Sequence, residues 1–416
     1  MTPLLHFIPA ILISYLVGAI PFGYLIARWH GVDLFKHGSG NIGATNVGRV
    51  LGWQSGILVF FLDFAKGAGP VLLARWLAKL LDPNAAGEGL PVAAGLAAFA
   101  GHIFPIYLHF RGGKGVATGA GVVAVLLPWP TLGALVTWMA VLMAWRYVSL
   151  ASLAAVAALC AVYLLTTPQP LARDHLVLTM FCFVAAALVI IRHRTNITRL
   201  IRGTENRLQE TRTMLMLSKT IHVLALGLWF GSSVFFTMAA LLIFRSFENV
   251  AISPAERIAW LPENFDKEKA TQLAGVAVGP IFPWYFLLQG ICACLALATA
   301  YAWTRSVQPH VGLHKLRFYL LALALAMVLA GWPIAQKVSG LRAARYAADS
   351  AVATAARADF ATWHLISLML NIMTVLAVTI AMALAAGMPY ETASAEPIDT
   401  KQAPSQKETA NVPITN

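Results

Sequence analysis

Twelve residues between two hydrophobic runs, Gly38-Ser39-Gly40-Asn41-Ile42-Gly43-Ala44-Thr45-Asn46-Val47-Gly48-Arg49, combine four glycines, two hydroxyls, two amides and one guanidinium. Glycines spaced this closely let backbone N–H groups converge on an anion, because no Cβ blocks the approach. Ser39, Asn41, Thr45 and Asn46 add neutral donors, and Arg49 can pair bidentately with a phosphate. A second cluster, Phe110-Arg111-Gly112-Gly113-Lys114-Gly115, follows another apolar run, and a third, Arg192-His193-Arg194-Thr195-Asn196, follows a later one. Three anion-suited loops at the ends of apolar runs point to an enzyme that handles phosphorylated substrates at a bilayer surface.

What the clusters lack narrows the chemistry. A nucleotide-binding phosphate loop needs G-x-x-x-x-G-K-[ST] after a strand. No lysine follows Gly43 or Gly48, and Gly115 rather than a hydroxyl residue follows Lys114. The H-x-x-x-x-D pair of many glycerolipid acyltransferases is also missing, since no histidine has an aspartate five positions along. Positioning and phosphate stabilisation are then the stronger expectation.

The elements that must carry these loops are membrane helices. The 416 residues are 59% hydrophobic and 12% charged, with a mean hydropathy of +0.70, whereas soluble domains carry about 25% charged residues. The apolar runs have helix length, unlike the alternating segments of an outer-membrane barrel. Spans are expected near 5–28, 55–80, 90–109, 116–129, 131–146, 148–167 and 174–191, with a tight turn at Pro128-Trp129-Pro130. Beyond a change of composition near Glu210, four more fall near 214–244, 274–303, 316–336 and 361–386. Lysine and arginine crowd the loops after the first, third, fifth and seventh spans. By the positive-inside rule the amino terminus lies outside, and all three polar clusters and the tail face the cytoplasm. The net charge of +12 therefore reflects orientation and anionic lipid or substrate, with no nucleic acid expected. Cys160, Cys182, Cys292 and Cys294 sit inside apolar runs and read as small hydrophobes. No metal site and no cleavable signal peptide is expected.

The strings Ser39 to Arg49, Gly101-His102-Ile103-Phe104-Pro105 running to Gly115-Val116-Ala117-Thr118, and His193-Arg194-Thr195-Asn196-Ile197 with Arg199-Leu200 and Gly203-Thr204-Glu205 together resemble the bacterial acyl-phosphate:glycerol-3-phosphate acyltransferase family (PlsY type). The resemblance covers about residues 1–210 and preserves the order of three motifs. It implies transfer of a long-chain acyl group from acyl phosphate to the 1-hydroxyl of sn-glycerol 3-phosphate, giving lysophosphatidic acid and inorganic phosphate. No cofactor takes part, and the partners are the two substrates and membrane lipid. It marks Ser39, Arg49, His193 and Asn196 as catalytic, and Gly112, Gly113 and Gly115 as the glycerol-phosphate site. Gly40, Asn41, Thr45, Asn46 and Lys114 are expected to bind substrate phosphates, and Glu205 to support the third loop. His193 is open to being a base or a phosphate contact, and the donor phosphate itself can accept the hydroxyl proton.

Asp63 and Lys66 share a helix face inside an apolar run, where unpaired charge costs several kcal/mol. They pair with each other or line the substrate cavity; the second is favoured, with Lys66 facing phosphate. His102 and His109 read as stabilising the third helix. The architecture expected is an all-α integral membrane protein. A seven-helix acyltransferase bundle (1–210) precedes a four-helix membrane domain (211–390) resembling an uncharacterised four-span family, then a disordered polar tail (391–416). In that domain a haem or metal shared by His222 and His364 is the less favoured idea beside hydrogen bonding. The alternatives are a transporter or channel for a phosphorylated solute, and an acyltransferase using a thioester donor. The expected location is the bacterial inner membrane.

Overall fold

A computed structural model describes residues 4–81, 87–208, 212–252, 265–305, 311–347 and 349–386. The expected domain boundary at Glu210 and the tail from 391 lie outside them. Among the described residues the secondary structure is helical throughout, and nine helical segments are long and apolar enough to cross a membrane. The chain is a multi-pass membrane protein.

The first crossing is broken in two: α1 (Leu4–Ala19) and α2 (Phe22–Trp29) meet at Ile20-Pro21. Pro21 has no N–H to donate, so the α1 ladder ends there. α3 (Ala44–Leu51) is a short helix carrying the end of the first glycine cluster, and α4 (Trp53–Leu81) and α5 (Gly89–Ile103) follow. α6 (Val116–Leu126), α7 (Pro128–Trp145), α8 (Val148–Thr166), α9 (Arg173–Arg192) and α10 (Arg194–Ile201) complete the first half.

Two of the seven expected spans are short. At 11 residues α6 rises about 16 Å, roughly half of a hydrocarbon core, and α7 has 18 residues. The turn between them differs from expectation: Leu127 is the junction, and Pro128 opens α7. Proline suits a first helical turn, where its missing N–H would have no partner.

Small residues set the packing. A Cβ on Gly67 of α4 would strike the Thr118 carbonyl oxygen of α6, and one on Gly121 would strike the Phe64 carbonyl oxygen. α4 and α6 therefore cross in backbone contact, as small residues allow in membranes.

The second half holds α11 (Arg212–Ile252), α12 (Lys267–Val278), α13 (Phe282–Thr304), α14 (Val311–Ala344) and α15 (Ser350–Ala386). Its core gathers Leu226, Trp229, Ala296, Leu321 and Val378. His222 Nδ1 lies 2.7 Å from Thr299 Oγ1, and its ring packs on Trp303 of α13. His364 instead stacks on Phe360. The two histidines thus serve separate contacts, as hydrogen bonding or ring packing requires and a shared metal does not.

The halves join along α7 and α13. Trp129 packs on Trp284 with ring centroids 5.1 Å apart, and Trp145 on Tyr301 at 5.4 Å. Leu142 and Met143 share a cluster with Ile221 and Ala298, and the Leu208 amide donates to the Arg146 carbonyl oxygen at 2.9 Å. The start of α11 and the ends of α7 and α13 therefore share one membrane face.

Candidate active site

The first glycine cluster is a loop tied by one side chain. Asn46, 2% exposed, accepts the Ser39 amide on Oδ1 at 2.7 Å. Its Nδ2 donates to the carbonyl oxygens of His37 at 3.1 Å and Asn41 at 2.8 Å. Both amide hydrogens are engaged inside the loop, so Asn46 shapes it. Asn41 Oδ1 accepts the Gly43 amide at 2.8 Å, turning the chain into α3. Gly38 and Gly40 sit at φ of 62° and 67°, a region disfavoured for other residues. Arg49 stands in the last turn of α3. The Ser39 and Thr45 hydroxyls have no hydrogen-bond partner among the described residues.

The second cluster is wedged among side chains. Arg192, at the end of α9, donates from Nε to the Gly113 carbonyl oxygen at 3.1 Å and from Nη2 to that of Gly112 at 2.8 Å. The Gly113 amide donates to the His102 carbonyl oxygen at 3.2 Å, and a Cβ on Gly113 would strike the buried His102 ring. Gly115, at φ 82°, faces the Phe99 ring. The Arg111 guanidinium lies 4.2 Å from the centre of the Phe35 ring, which ties this loop to the first.

The third cluster turns on Glu205, whose side chain is 5% exposed. Its carboxylate accepts from Asn196 Nδ2 at 2.7 Å, Arg199 Nε at 2.7 Å and Ser149 Oγ at 2.9 Å. Burial alone would raise this carboxyl; the bonds from Arg199, Asn196 and Ser149 outweigh it and hold the group below the usual value. His193 is buried at the end of α9, and its Nδ1 lies 2.8 Å from the Val189 carbonyl oxygen. A carbonyl only accepts, so Nδ1 carries the proton and Nε2 is an acceptor. Burial pushes the imidazole down to about 4, despite that carbonyl bond, so it is neutral at pH 7.

The three clusters share one electrostatic neighbourhood. Burial lowers Lys114 to about 8; Glu205 opposes the shift, while Arg199, Arg49 and Arg192 add to it. Burial also lowers Arg49, which again feels Glu205 and Arg199. Three cations, Arg49, Lys114 and Arg199, thus surround one carboxylate, with Arg192 and neutral His193 beside Lys114. The surplus of positive charge, with backbone amides and a buried acceptor nitrogen, suits a pair of phosphorylated substrates.

Lys66 departs from expectation. It is 4% exposed, its Nζ lies 2.8 Å from Asp63 Oδ1, and it donates to the Ile20 carbonyl oxygen at 2.7 Å. The charges pair with each other and with the carbonyl at the α1–α2 break; Lys66 is a fastener inside the helices. His102 Nδ1 stands 3.7 Å from the same Asp63 oxygen. Sequence reasoning missed three contributors. Arg192 lies within the third cluster and Arg199 in the string that follows it, so both could have been read from the sequence, whereas Ser149 carries no signal in its spacing.

The sequence pattern of the family described as glycerol-3-phosphate acyltransferase matches residues 8–203. The glycerol-3-phosphate acyltransferase of Prochlorococcus marinus is 43% identical over 199 residues, covering 48% of this chain and 92% of the relative. This chain belongs to the glycerol-3-phosphate acyltransferase family. The enzyme of the same name from Geobacter sulfurreducens is 46% identical over 195 residues, 47% of this chain and 94% of that one. A crystal structure of PlsY, an integral membrane glycerol 3-phosphate acyltransferase, in its glycerol 3-phosphate form, is similar at 39% identity and a TM-score of 0.44, over 49% of this chain and 96% of that chain. The acyltransferase pattern covers all three clusters up to Gly203.

Proposed function

We propose that the first half transfers a long-chain acyl group from acyl phosphate to the 1-hydroxyl of sn-glycerol 3-phosphate. The reading rests on one observation above the others: Arg49, Lys114 and Arg199 gather around Glu205 beside a histidine whose free nitrogen accepts. Two phosphates brought together repel, and this group of cations offsets that repulsion. Lys114 and the amides of Gly112 and Gly115 hold the glycerol phosphate, while Gly113, its amide engaged by the His102 carbonyl oxygen, shapes the loop. Arg49 and the Ser39 hydroxyl, with Asn41 and Thr45, hold the donor phosphate, and Gly40, whose amide donates to the His37 carbonyl oxygen at 3.1 Å, turns the loop. Asn196 and Glu205 fix the third loop.

In the step itself the glycerol oxygen attacks the acyl carbonyl carbon. A carbon–oxygen ester bond forms, the bond from carbonyl carbon to phosphate oxygen breaks, and phosphate leaves with its electron pair. His193 Nε2 accepts the hydroxyl hydrogen bond and orients the nucleophile. An imidazole that protonates at about 4 is a weak base, so the leaving phosphate takes the proton. The acyl tail stays among the helices, and the clusters face the cytoplasm of a bacterial inner membrane with the amino terminus outside.

The test is transfer to glycerol 3-phosphate by the purified chain in lipid, with palmitoyl phosphate and palmitoyl-CoA in parallel. Lysophosphatidic acid formed from the phosphate donor is the expected result. Product from the thioester alone overturns the donor assignment.

A further inference from the structure

The second half encloses a cavity of about 470 Å³, within the usual range for small-molecule sites. Its walls are aromatic and aliphatic: Phe236 and Phe244 of α11, Phe282 and Phe286 of α13, Met327 and Val328 of α14. Polar groups enter at defined places and are mostly occupied. Tyr285 donates its hydroxyl to Asn371 Oδ1 at 2.7 Å, and buried Gln289 donates to Ser233 Oγ at 2.8 Å.

The cations at its end are a different case. Arg342 and Arg345, at and just beyond the end of α14, line the cavity together with His364, and no aspartate or glutamate does. Arg342 donates from Nη1 to the Gly275 carbonyl oxygen at 2.9 Å. Arg345 donates to the Tyr346 hydroxyl at 3.2 Å, and its guanidinium carbon lies over the Phe360 ring, 3.9 Å from its centre. Its Nε is buried without a hydrogen-bond partner. Among the described residues neither guanidinium pairs with a carboxylate. Two arginines with unused N–H donors at one end of an apolar chamber form an unneutralised site, and such charge calls for an anion.

Placement narrows the ligand further. Trp129 and Trp284 pair at the starts of α7 and α13, and Trp145 and Tyr301 at their ends. The Arg146 carbonyl that receives the Leu208 amide lies on the face of Ser149 and Glu205. The cavity is built from the start of α13 and the far end of α11, so it opens toward the other face. An apolar chamber capped by cations near a membrane surface matches an amphiphile, with its chain among the phenylalanines and its headgroup at the arginines.

We propose that this cavity, walled by Phe236, Phe282 and Phe286 and closed by Arg342 and Arg345, binds a single-chain lipid with an anionic headgroup, a phosphate monoester or a carboxylate, in the leaflet opposite the acyl-transfer site. The proposal is independent of the donor used by the first half.

Photocrosslinking of the full-length protein in lipid discs tests it. The probes are diazirine-labelled lysophosphatidic acid and diazirine-labelled palmitate, with adducts mapped by peptide mass spectrometry. Adducts are expected on α13, α14 and α15 around the cavity. Unlabelled anionic competitor should displace them at least tenfold more effectively than zwitterionic lysophosphatidylcholine. Capture of both probes means that any single-chain anion suffices; capture of the lysophosphatidic acid probe alone assigns a phosphate monoester, and of palmitate alone a carboxylate. The double substitution R342Q/R345Q should lower these adducts at least tenfold while the tryptophan fluorescence and thermal unfolding of the full-length protein stay at the wild-type values, which shows that the second half is folded. Ala335→Phe, which fills the chamber without altering charge, should have the same effect. Adducts spread evenly over lipid-facing helices, equal displacement by the zwitterion, or adducts unchanged in R342Q/R345Q would overturn the proposal.

Discussion

Glu205→Gln separates the electrostatic role of this residue from its shape. The glutamine oxygen can still accept from Asn196 and Ser149, but its amide turns toward Arg199, whose Nε now donates to the carboxylate at 2.7 Å. A hydrogen bond to a charged group contributes about 1.5–3 kcal/mol; with Arg199 36% exposed, solvent screening reduces this to about 2 kcal/mol. If that loss falls on the geometry of the site, kcat/KM for glycerol 3-phosphate drops about 30-fold. A second signature is specific to charge. Glu205 opposes the burial that lowers Lys114, so removing the carboxylate lets Lys114 lose its proton at still lower pH. Lys114 holds phosphate only when protonated: that affinity is complete well below about 8 and fades as pH rises through it. The alkaline limb of a kcat/KM profile should therefore move toward neutral pH in E205Q. A limb that stays in place or moves the other way, or a loss under about threefold, refutes the placement of Glu205 beside Lys114.

Lys114→Arg should remove that alkaline limb while retaining measurable kcat/KM, since guanidinium stays charged throughout; an unchanged limb would assign the titration elsewhere. Lys66→Met leaves the Asp63 carboxylate buried without its cation and should lower stability by about 3–5 kcal/mol, whereas D63L/K66M should recover much of that in thermal unfolding. Gly113→Ala drives a methyl into the His102 ring, costing about 1–3 kcal/mol, and should raise KM for glycerol 3-phosphate more than it lowers kcat. A chain ending at residue 210 should keep acyl transfer with a lower unfolding temperature. Its relatives complete the same unit in about 200 residues, while here Leu142 and Met143 lose their packing on Ile221 and Ala298.

The glycine loops were legible in the sequence because their physics is local. Gly38, Gly40 and Gly115 mark backbone that turns through positive φ, and the pattern needs no knowledge of distant partners. The helical architecture was legible for the same reason, being set by runs of apolar residues. The pairing of Lys66 with Asp63 was one of the two readings their spacing offered, whereas its second partner, the Ile20 carbonyl, was not legible because it lies 46 residues away and is presented by the break at Pro21. Ser149 was invisible because its contact with Glu205 spans 56 residues and exists only once α8 meets the third loop. The bend before Pro128 was expected two residues late because a proline pair reads as a turn, although proline also begins helices.

The seam between α7 and α13 has a consequence for depth of immersion. A helix only about 16 Å long, like α6, cannot register itself against a bilayer about 30 Å thick, and α7 is barely long enough. Through Trp129 with Trp284 and Trp145 with Tyr301, α7 is lashed to the 23 residues of α13, and α6 is held through its packing on α7. The longer helices act as a keel: bilayer thickness acts first on them, and the headgroup-level height of Arg49, Lys114 and His193 follows.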